Sequence, residues 1–446
     1  SDALKLLCDF IRFPSVSTDP SRASEVGKCA HWLAGHLREI GLEAEVNQTL
    51  GHPIVTAKNR HVRGRPTVLI YGHYDVQPED PVDLWHSPPF EPVVREGVLF
   101  ARGSADNKGQ IFAHIHGVAH ALKTQGELPV NLVFLIEGEE EIGSPNLEAF
   151  LVAHRESLKC DIIAVSDTSM VAPGFPTLTY GLRGIAAMEV RVTGPAMDLH
   201  SGIYGGAVRN PVVVLAQLLA GLHARDGKVA IEGFYEKVLP LEPWEREAWA
   251  RVPFGETQIE AITGTVALGG ELEYSALERI WGRPTAEVNG IGGGFQGEGT
   301  KTIIPKEAFA KLTFRLVPDQ VPEEILSLAE KHLREACPLG VTLEVSHGHS
   351  GQPYVTDPHS RYGLAAQKAL SRVFPGQPIA LTREGGSIPI VNTFQRVLGV
   401  ETLLLGLALP DCQAHAPNEN FPVANFEAGI QLNQVLLEEL SKVGSP

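Results

Sequence analysis

The chain has little from which to build a disulfide framework. Its five cysteines, Cys8, Cys29, Cys160, Cys337 and Cys412, are odd in number, widely scattered and free of any C-x-x-C pair. That usage reads as reduced thiols in a cytoplasmic protein. Long apolar runs are also missing. The most apolar stretch, Pro211 to Leu222, carries Gln217 and falls short of the roughly 18 apolar residues that span a bilayer. No charged-then-apolar leader is present, although the first residue is Ser1 rather than methionine, which is compatible with trimming. Positive charge is scarce too: 37 Lys and Arg stand against 53 Asp and Glu, a net charge of −16. Nucleic acid and anionic membrane both require a basic face, so neither is expected as a partner. The motif H-E-x-x-H is absent as well. His116 and His120, one helical turn apart, therefore read as ordinary helix histidines, with His114 on another face.

At 446 residues, with 43% hydrophobic and 20% charged, the chain has the composition of a globular protein of two or three domains. Apolar residues at Leu4, Leu7, Cys8 and Ile11 follow helical spacing, and Pro14 ends that run. A second helix is predicted over Ala23–Ile40, with Gly41 just past its end. Short β-branched runs follow at Ile54–Ala57, Thr67–Tyr71, Val130–Ile136 and Asp161–Val165, with a helix predicted over Gly109–Lys123. Strands alternating with helices imply an α/β layer with a mostly parallel sheet flanked by helices. After Tyr180 the texture changes: Ala186–Val192 and Lys311–Leu316 alternate like half-solvated strands, beside helices predicted at Pro211–His223 and Glu323–Glu335. The α/β texture returns with a helix at Leu364–Phe374, a buried strand at Thr402–Leu407 and a final helix at Ala424–Leu440. The expected organisation is one α/β domain (1–181 and 352–446) interrupted by an inserted α+β domain (182–351).

Polar residues gather where these strands end. A His two residues before an acid occurs by chance about twice in a chain of this composition, so position carries more weight than motif. The strand Thr67–Tyr71 runs into Gly72, His73, Tyr74 and Asp75; a histidine there can bind a metal while the acid holds its other nitrogen. Asp106 sits in a Gly-flanked turn before a helix, where a ligand and an N-cap are equally served by aspartate. The strand Val130–Ile136 ends in Glu137, Gly138 and then Glu139, Glu140 and Glu141. Adjacent carboxylates repel and raise each other's pKa, so such a run calls for solvent or cations. Asp167 follows the strand Asp161–Val165, and His415 follows Thr402–Leu409. Two histidines with several carboxylates suit Zn²⁺, Mn²⁺ or Co²⁺ better than Ca²⁺. Their number exceeds one tetrahedral site and suggests two ions sharing a carboxylate.

The segments GHYDVQP, ARGSADNKG, EGEEEIGS, AVSDTSM, DLHSGIYGG, KTIIP, RLVP, GGSIP and QAHAPNE occur in an order that resembles the co-catalytic metallopeptidases, the family of carnosinase and cytosolic nonspecific dipeptidase. The resemblance covers nearly the whole chain. It implies a catalytic domain with an inserted lid that also forms a homodimer, and two divalent ions per subunit, Zn or Mn with Co possible. His73, Asp106 and Asp167 would hold one ion, Asp106, Glu141 and His415 the other, with Asp106 bridging. Glu140 would be the general base, Asp75 the partner of His73, and His200 an oxyanion donor from the other subunit. Arg315 would clamp a substrate carboxylate, with Thr302, His349 and Ser387 also touching a small peptide substrate. Glu139 departs from the family pattern and blurs the roles within the triple-Glu run. The implied activity is that of a dipeptidase or carboxypeptidase. An N-acyl amino acid deacylase or desuccinylase is the alternative on the same scaffold, and retention of Glu140 speaks against a non-catalytic binding protein.

Overall fold

Four apolar segments far apart in sequence lie side by side in the computed structural model, which describes residues 2–386 and 388–443. Asn131–Glu137, Thr67–His73, Ile162–Val165 and Thr402–Gly406 run parallel in that spatial order. Nearly every residue in them is buried, which is why they read as continuous apolar runs. Antiparallel strands extend the sheet at both sides. Ile54–Lys58 and then Glu43–Asn47 add beyond Asn131–Glu137, and Thr177–Leu182 adds beyond Thr402–Gly406. The sheet is therefore mixed, with a parallel heart.

Side chains alternate across this heart. Val68 and Ile70 join a core with Leu7 and Phe10 of helix Asp2–Ile11, Leu33 of helix Ala23–Glu39 and Ile115 of helix Lys108–Gln125. Ala366 of helix Arg361–Val373 and Leu436 of helix Val423–Ser441 complete that face. Tyr71 points to the opposite face and meets Phe394 of helix Pro389–Leu398 edge-on at 5.1 Å. These elements belong to a unit made of Ser1–Tyr180, Thr356–Thr382 and Ile390–Pro446. The chain leaves this unit at Tyr180 and re-enters at Thr356, whose backbone N–H donates to the Tyr180 carbonyl at 2.8 Å.

The second unit comprises Gly181–Val355 and a short later excursion, Arg383–Pro389. Its antiparallel sheet has the order Thr285–Gly293, Glu307–Leu316, Gly184–Thr193, Thr342–Gly351. Strict alternation of buried and half-buried residues along Gly184–Thr193 reflects a sheet with one covered face. Leu215 and Leu218 of helix Pro211–Ala220 and Ile325, Ala329 and Leu333 of helix Pro322–Ala336 cover it. Asn210 caps the first of these helices by accepting the Val212 N–H, with Pro211 at its first position. Three short helices, Pro243–Ala250, Glu256–Thr263 and Ala276–Gly282, have no counterpart in the sequence reading. Trp249 and Trp281 meet edge-on at 5.5 Å between the first and last of them.

Candidate metal centre

The parallel strands all present their carboxyl ends at one edge of the sheet, where side chains converge. His73 is the last residue of its strand, and the turn Glu140–Ile142 follows Asn131–Glu137. Asp167 lies just past Ile162–Val165, His415 on the loop after Thr402–Gly406, and Asp106 on the turn before helix Lys108–Gln125.

Asp106 is the hub. Its Oδ1 lies 3.1 Å from His73 Nε2, and its Oδ2 lies 2.9 Å from His415 Nε2. The two imidazoles thus face opposite oxygens of one carboxylate. Asp167 Oδ2 is 3.8 Å from His73 Nε2, and Glu141 Oε2 is 3.3 Å from His415 Nε2. Potential ligand atoms fall within 4.8 Å of one another in the sets His73, Asp106, Asp167 and Asp106, Glu141, His415, and also in His73, Glu140, Glu141. His116 and His120 belong to no such set among the described residues. His116 stacks on His36 and packs tilted against Phe112, and burial lowers its pKa to about 4.

The triple-Glu run divides by direction. Glu139 is buried away from the cluster, accepting the His52 N–H at 3.1 Å and the Asn146 amide at 2.7 Å. The approach is close enough that a Cβ at Gly51 would lie 1.8 Å from Glu139 Oε1. Glu140 and Glu141 face the histidines.

Neighbouring groups fix the candidate ligands. Asp75 Oδ1 is 3.3 Å from His73 Nδ1, and the same carboxylate accepts the backbone N–H of Glu140 at 3.2 Å and of Glu141 at 3.1 Å. One side chain therefore orients both a histidine and the turn that carries two glutamates. Sequence reasoning passed over Asn107 and Gln77. Asn107 accepts the His73 N–H and donates to Asp167 Oδ1 at 2.9 Å, while Gln77 donates to Glu141 Oε2 at 2.8 Å. Their only sequence signal was position, one residue after Asp106 and two after Asp75.

The electrostatics favour cations. Burial pushes the Glu140 carboxyl well above the usual range; His73 opposes that shift, and the charges of Asp167, Glu141 and Asp106 reinforce it. Burial likewise raises Asp167 and Glu141. Burial also works to raise Asp106, but His415 and His73 outweigh it and hold that carboxyl low. Hydrogen bonds to Asp106 and Glu141 lift His415 to about 10. Burial would depress His73, yet Asp106, Asp167 and Asp75 carry it well above its ordinary value. The upward shifts of both imidazoles mark a concentration of negative charge that divalent cations would compensate. Two buried atoms, His73 Nε2 and Glu141 Oε1, make no hydrogen bond, which fits atoms meant for a metal. The mixed imidazole and carboxylate set suits Zn²⁺, Mn²⁺ or Co²⁺.

The remaining candidates lie in the second unit. His200 precedes a glycine-rich run, Ser201–Gly206, whose composition suggests a loop. It instead ends a short strand, Leu199–His200, paired with Ile303–Ile304, and caps the one-turn helix Ser201–Tyr204 by accepting the Gly202 N–H on Nδ1 at 3.0 Å. The capping interaction orders what glycine content alone suggests is loose. Thr302 is adjacent, its carbonyl accepting the Ser201 N–H at 3.0 Å. Arg315 lies on Glu307–Leu316 and, with Arg183, lines a cavity of about 440 Å³. His349 is exposed within a register shift of Thr342–Gly351. Ser387 falls outside the described residues.

Comparison with known proteins gives a consistent result. The model of peptidase family M20/M25/M40 matches residues 69–439. The Cys-Gly metallodipeptidase DUG1 of Saccharomyces cerevisiae is 34% identical over 97% of this chain and 94% of its own. Among solved structures, the M20 family metallo-carboxypeptidase Sso-CP2 of Sulfolobus solfataricus has a TM-score of 0.84 and 33% identity, covering 99% of this chain and 100% of that one. Human carnosine dipeptidase 1 has a TM-score of 0.82 and 28% identity, with coverage of 99% and 96%.

Proposed function

Since this chain belongs to peptidase family M20/M25/M40 and is a metal-dependent peptidase, we propose that it hydrolyses the amide bond of dipeptides with two divalent cations, Zn²⁺ or Mn²⁺, sharing Asp106. His73 and Asp167 complete one ligand set, Glu141 and His415 the other. The observation that carries this reading is the pair of imidazoles on opposite oxygens of Asp106.

Bound cations would make a water acidic enough to attack near neutral pH and would polarise the scissile carbonyl. Glu140 takes the proton of the attacking water on a carboxylate oxygen and passes it to the departing amine. Burial equips it for this by raising its proton affinity. Asp75 holds His73 and fixes the backbone of Glu140 and Glu141 throughout. His200, supplied by the partner subunit of a homodimer formed through the inserted unit, donates to the developing oxyanion. Arg315 holds the substrate carboxylate, for which a planar guanidinium is suited, and Thr302, His349 and Ser387 contact the rest of the substrate. The cysteines are all free of disulfides, in keeping with a cytoplasmic location.

Dipeptidase names among the relatives favour dipeptides over N-acyl amino acids. The test strips the protein of metal, reconstitutes it with Zn²⁺ or Mn²⁺ and screens Cys-Gly, β-Ala-His and other dipeptides against N-acyl amino acids. Dipeptide hydrolysis at two equivalents of metal is expected. Exclusive cleavage of N-acyl amino acids would overturn the substrate reading, and full activity at one equivalent would overturn the shared site.

A further inference from the structure

The loop that carries His415 is held in an unusual conformation. Gln413, His415 and Asn418 have φ of 55°, 61° and 64°, in the left-handed region that non-glycine residues rarely occupy. Such a backbone persists only where its surroundings impose it. Asn418 ties the loop outward, accepting the His86 N–H at 2.8 Å and donating to the Leu84 carbonyl at 2.9 Å. The inward tie is Glu419, whose side chain is fully buried.

Glu419 reaches across more than 300 residues of sequence to the turn that bears Asp106. Its Oε2 accepts from Arg102 Nη1 and from the Gly103 N–H, both at 2.8 Å. Its Oε1 accepts the N–H groups of Ala105 and Asp106, both at 2.9 Å. Three backbone amides of one turn thus converge on one carboxylate, and one of them belongs to the shared ligand itself. Arg102 is buried, balances the charge, and donates a second bond to the Pro78 carbonyl at 3.0 Å.

We infer that Glu419 is a positioning residue for the metal centre: it fastens the strained His415 loop to the Asp106 turn and so presets the spacing of Asp106 and His415. This rests on the shared-metal reading above. Glu419 touches no ligand side chain in the pairs described and acts through the backbone of both loops.

The substitution Glu419→Gln keeps length and shape but sets an amide NH₂ against N–H donors. Metal-free protein, verified as folded by its thermal transition, is titrated with Co²⁺ well below that transition, and the visible absorption is followed for each equivalent. Groups that orient metal ligands typically change affinity 10- to 100-fold. The equivalent that His415→Ala also loses should bind about 10- to 100-fold more weakly in Glu419→Gln, with a smaller change in the other. A scaffold role alone would lower the melting temperature while leaving both affinities of the folded protein unchanged, and that result overturns the inference. If Glu419→Gln does not fold, Asn418→Ala releases the same loop from its exposed side. It should weaken that same equivalent, and wild-type affinity there overturns the inference equally. Wild-type protein that binds fewer than two equivalents would instead refute the shared site.

Discussion

Replacing Glu140 by glutamine separates a base from a ligand and does so with opposite signs in the metal-free and loaded protein. Geometry alone leaves two options, because Glu140 falls in a possible ligand set with His73 and Glu141, although its Oε2 stays 3.9 Å from His73 Nε2. Without cations the carboxylate is a liability. Two charges 4.8 Å apart, the limit for ligand atoms of Glu140 and Glu141, repel by about 332/(20 × 4.8), or about 3.5 kcal/mol at an effective dielectric of 20; His73 offsets that pair, but burial with the charges of Asp167 and Asp106 leaves the balance against the carboxylate. Protonation limits how much of that is felt, since the raised pKa of Glu140 lets it take a proton instead. Metal-free Glu140→Gln should therefore be more stable than wild type by roughly 1–3 kcal/mol in urea unfolding at pH 8 with chelator present. In loaded protein, glutamine cannot accept a proton, and kcat should fall by about 10²–10⁴ while metal content is unchanged. Glu141→Gln should instead lose one equivalent. The reasoning is refuted if Glu140→Gln sheds a cation, if it keeps more than about a tenth of wild-type kcat, or if it destabilises the metal-free protein.

Asp75→Asn should weaken metal binding by about 10- to 100-fold in equilibrium titration, because it loosens His73 and the Glu140–Glu141 turn together; unchanged affinity would remove Asp75 from the site. His114 is fully buried against Ser166, and burial lowers its pKa to about 3. The unfolded chain takes that proton below about pH 6.5 and the folded one refuses it, so stability is complete above that pH and declines as pH falls. Between pH 7.5 and 5.5 the loss from His114 alone is about 1.4 kcal/mol. Urea unfolding of metal-free wild type and His114→Gln should differ in pH dependence by that amount, and parallel profiles would refute it. Mixing His200→Ala with Glu140→Gln should restore about a quarter of wild-type activity if His200 serves the partner's site and the sites are independent. Heterodimers that form but recover nothing would show that it does not.

The candidate ligand positions stood out in sequence because buried parallel strands leave an unmistakable apolar run, and polar residues after such a run have few other uses. His73, Asp167 and His415 were found in that way. Direction within a run was not readable: three consecutive glutamates share one environment on paper, and only the fold turns Glu139 toward His52 and Asn146. Asn107, Gln77 and Glu419 were missed as parts of the site because their partners are remote in sequence or lie on the backbone, which carries no residue signature. The three helices between Pro243 and Gly282 are too short for helical periodicity to stand out, and a tryptophan pair and the Arg246–Glu278 ion pair join two of them.

The hydrogen bond between Thr356 and Tyr180 has a consequence for how such a protein can diversify. Apart from the short Arg383–Pro389 excursion, the long insertion departs and returns at neighbouring residues, so to the first unit it is largely a hairpin loop of arbitrary content. The entropy of closing a loop grows only with the logarithm of its length, about 0.6 kcal/mol for each doubling. Lengthening, shortening or replacing what lies between those two residues therefore strains the first unit very little. Natural variation can rework the insertion, and with it Arg315, Thr302 and His349, while the cluster around Asp106 is inherited intact. The same doorway offers a place for chimeras: a foreign insertion joined at Tyr180 and Thr356 would meet chain ends already spaced to receive it.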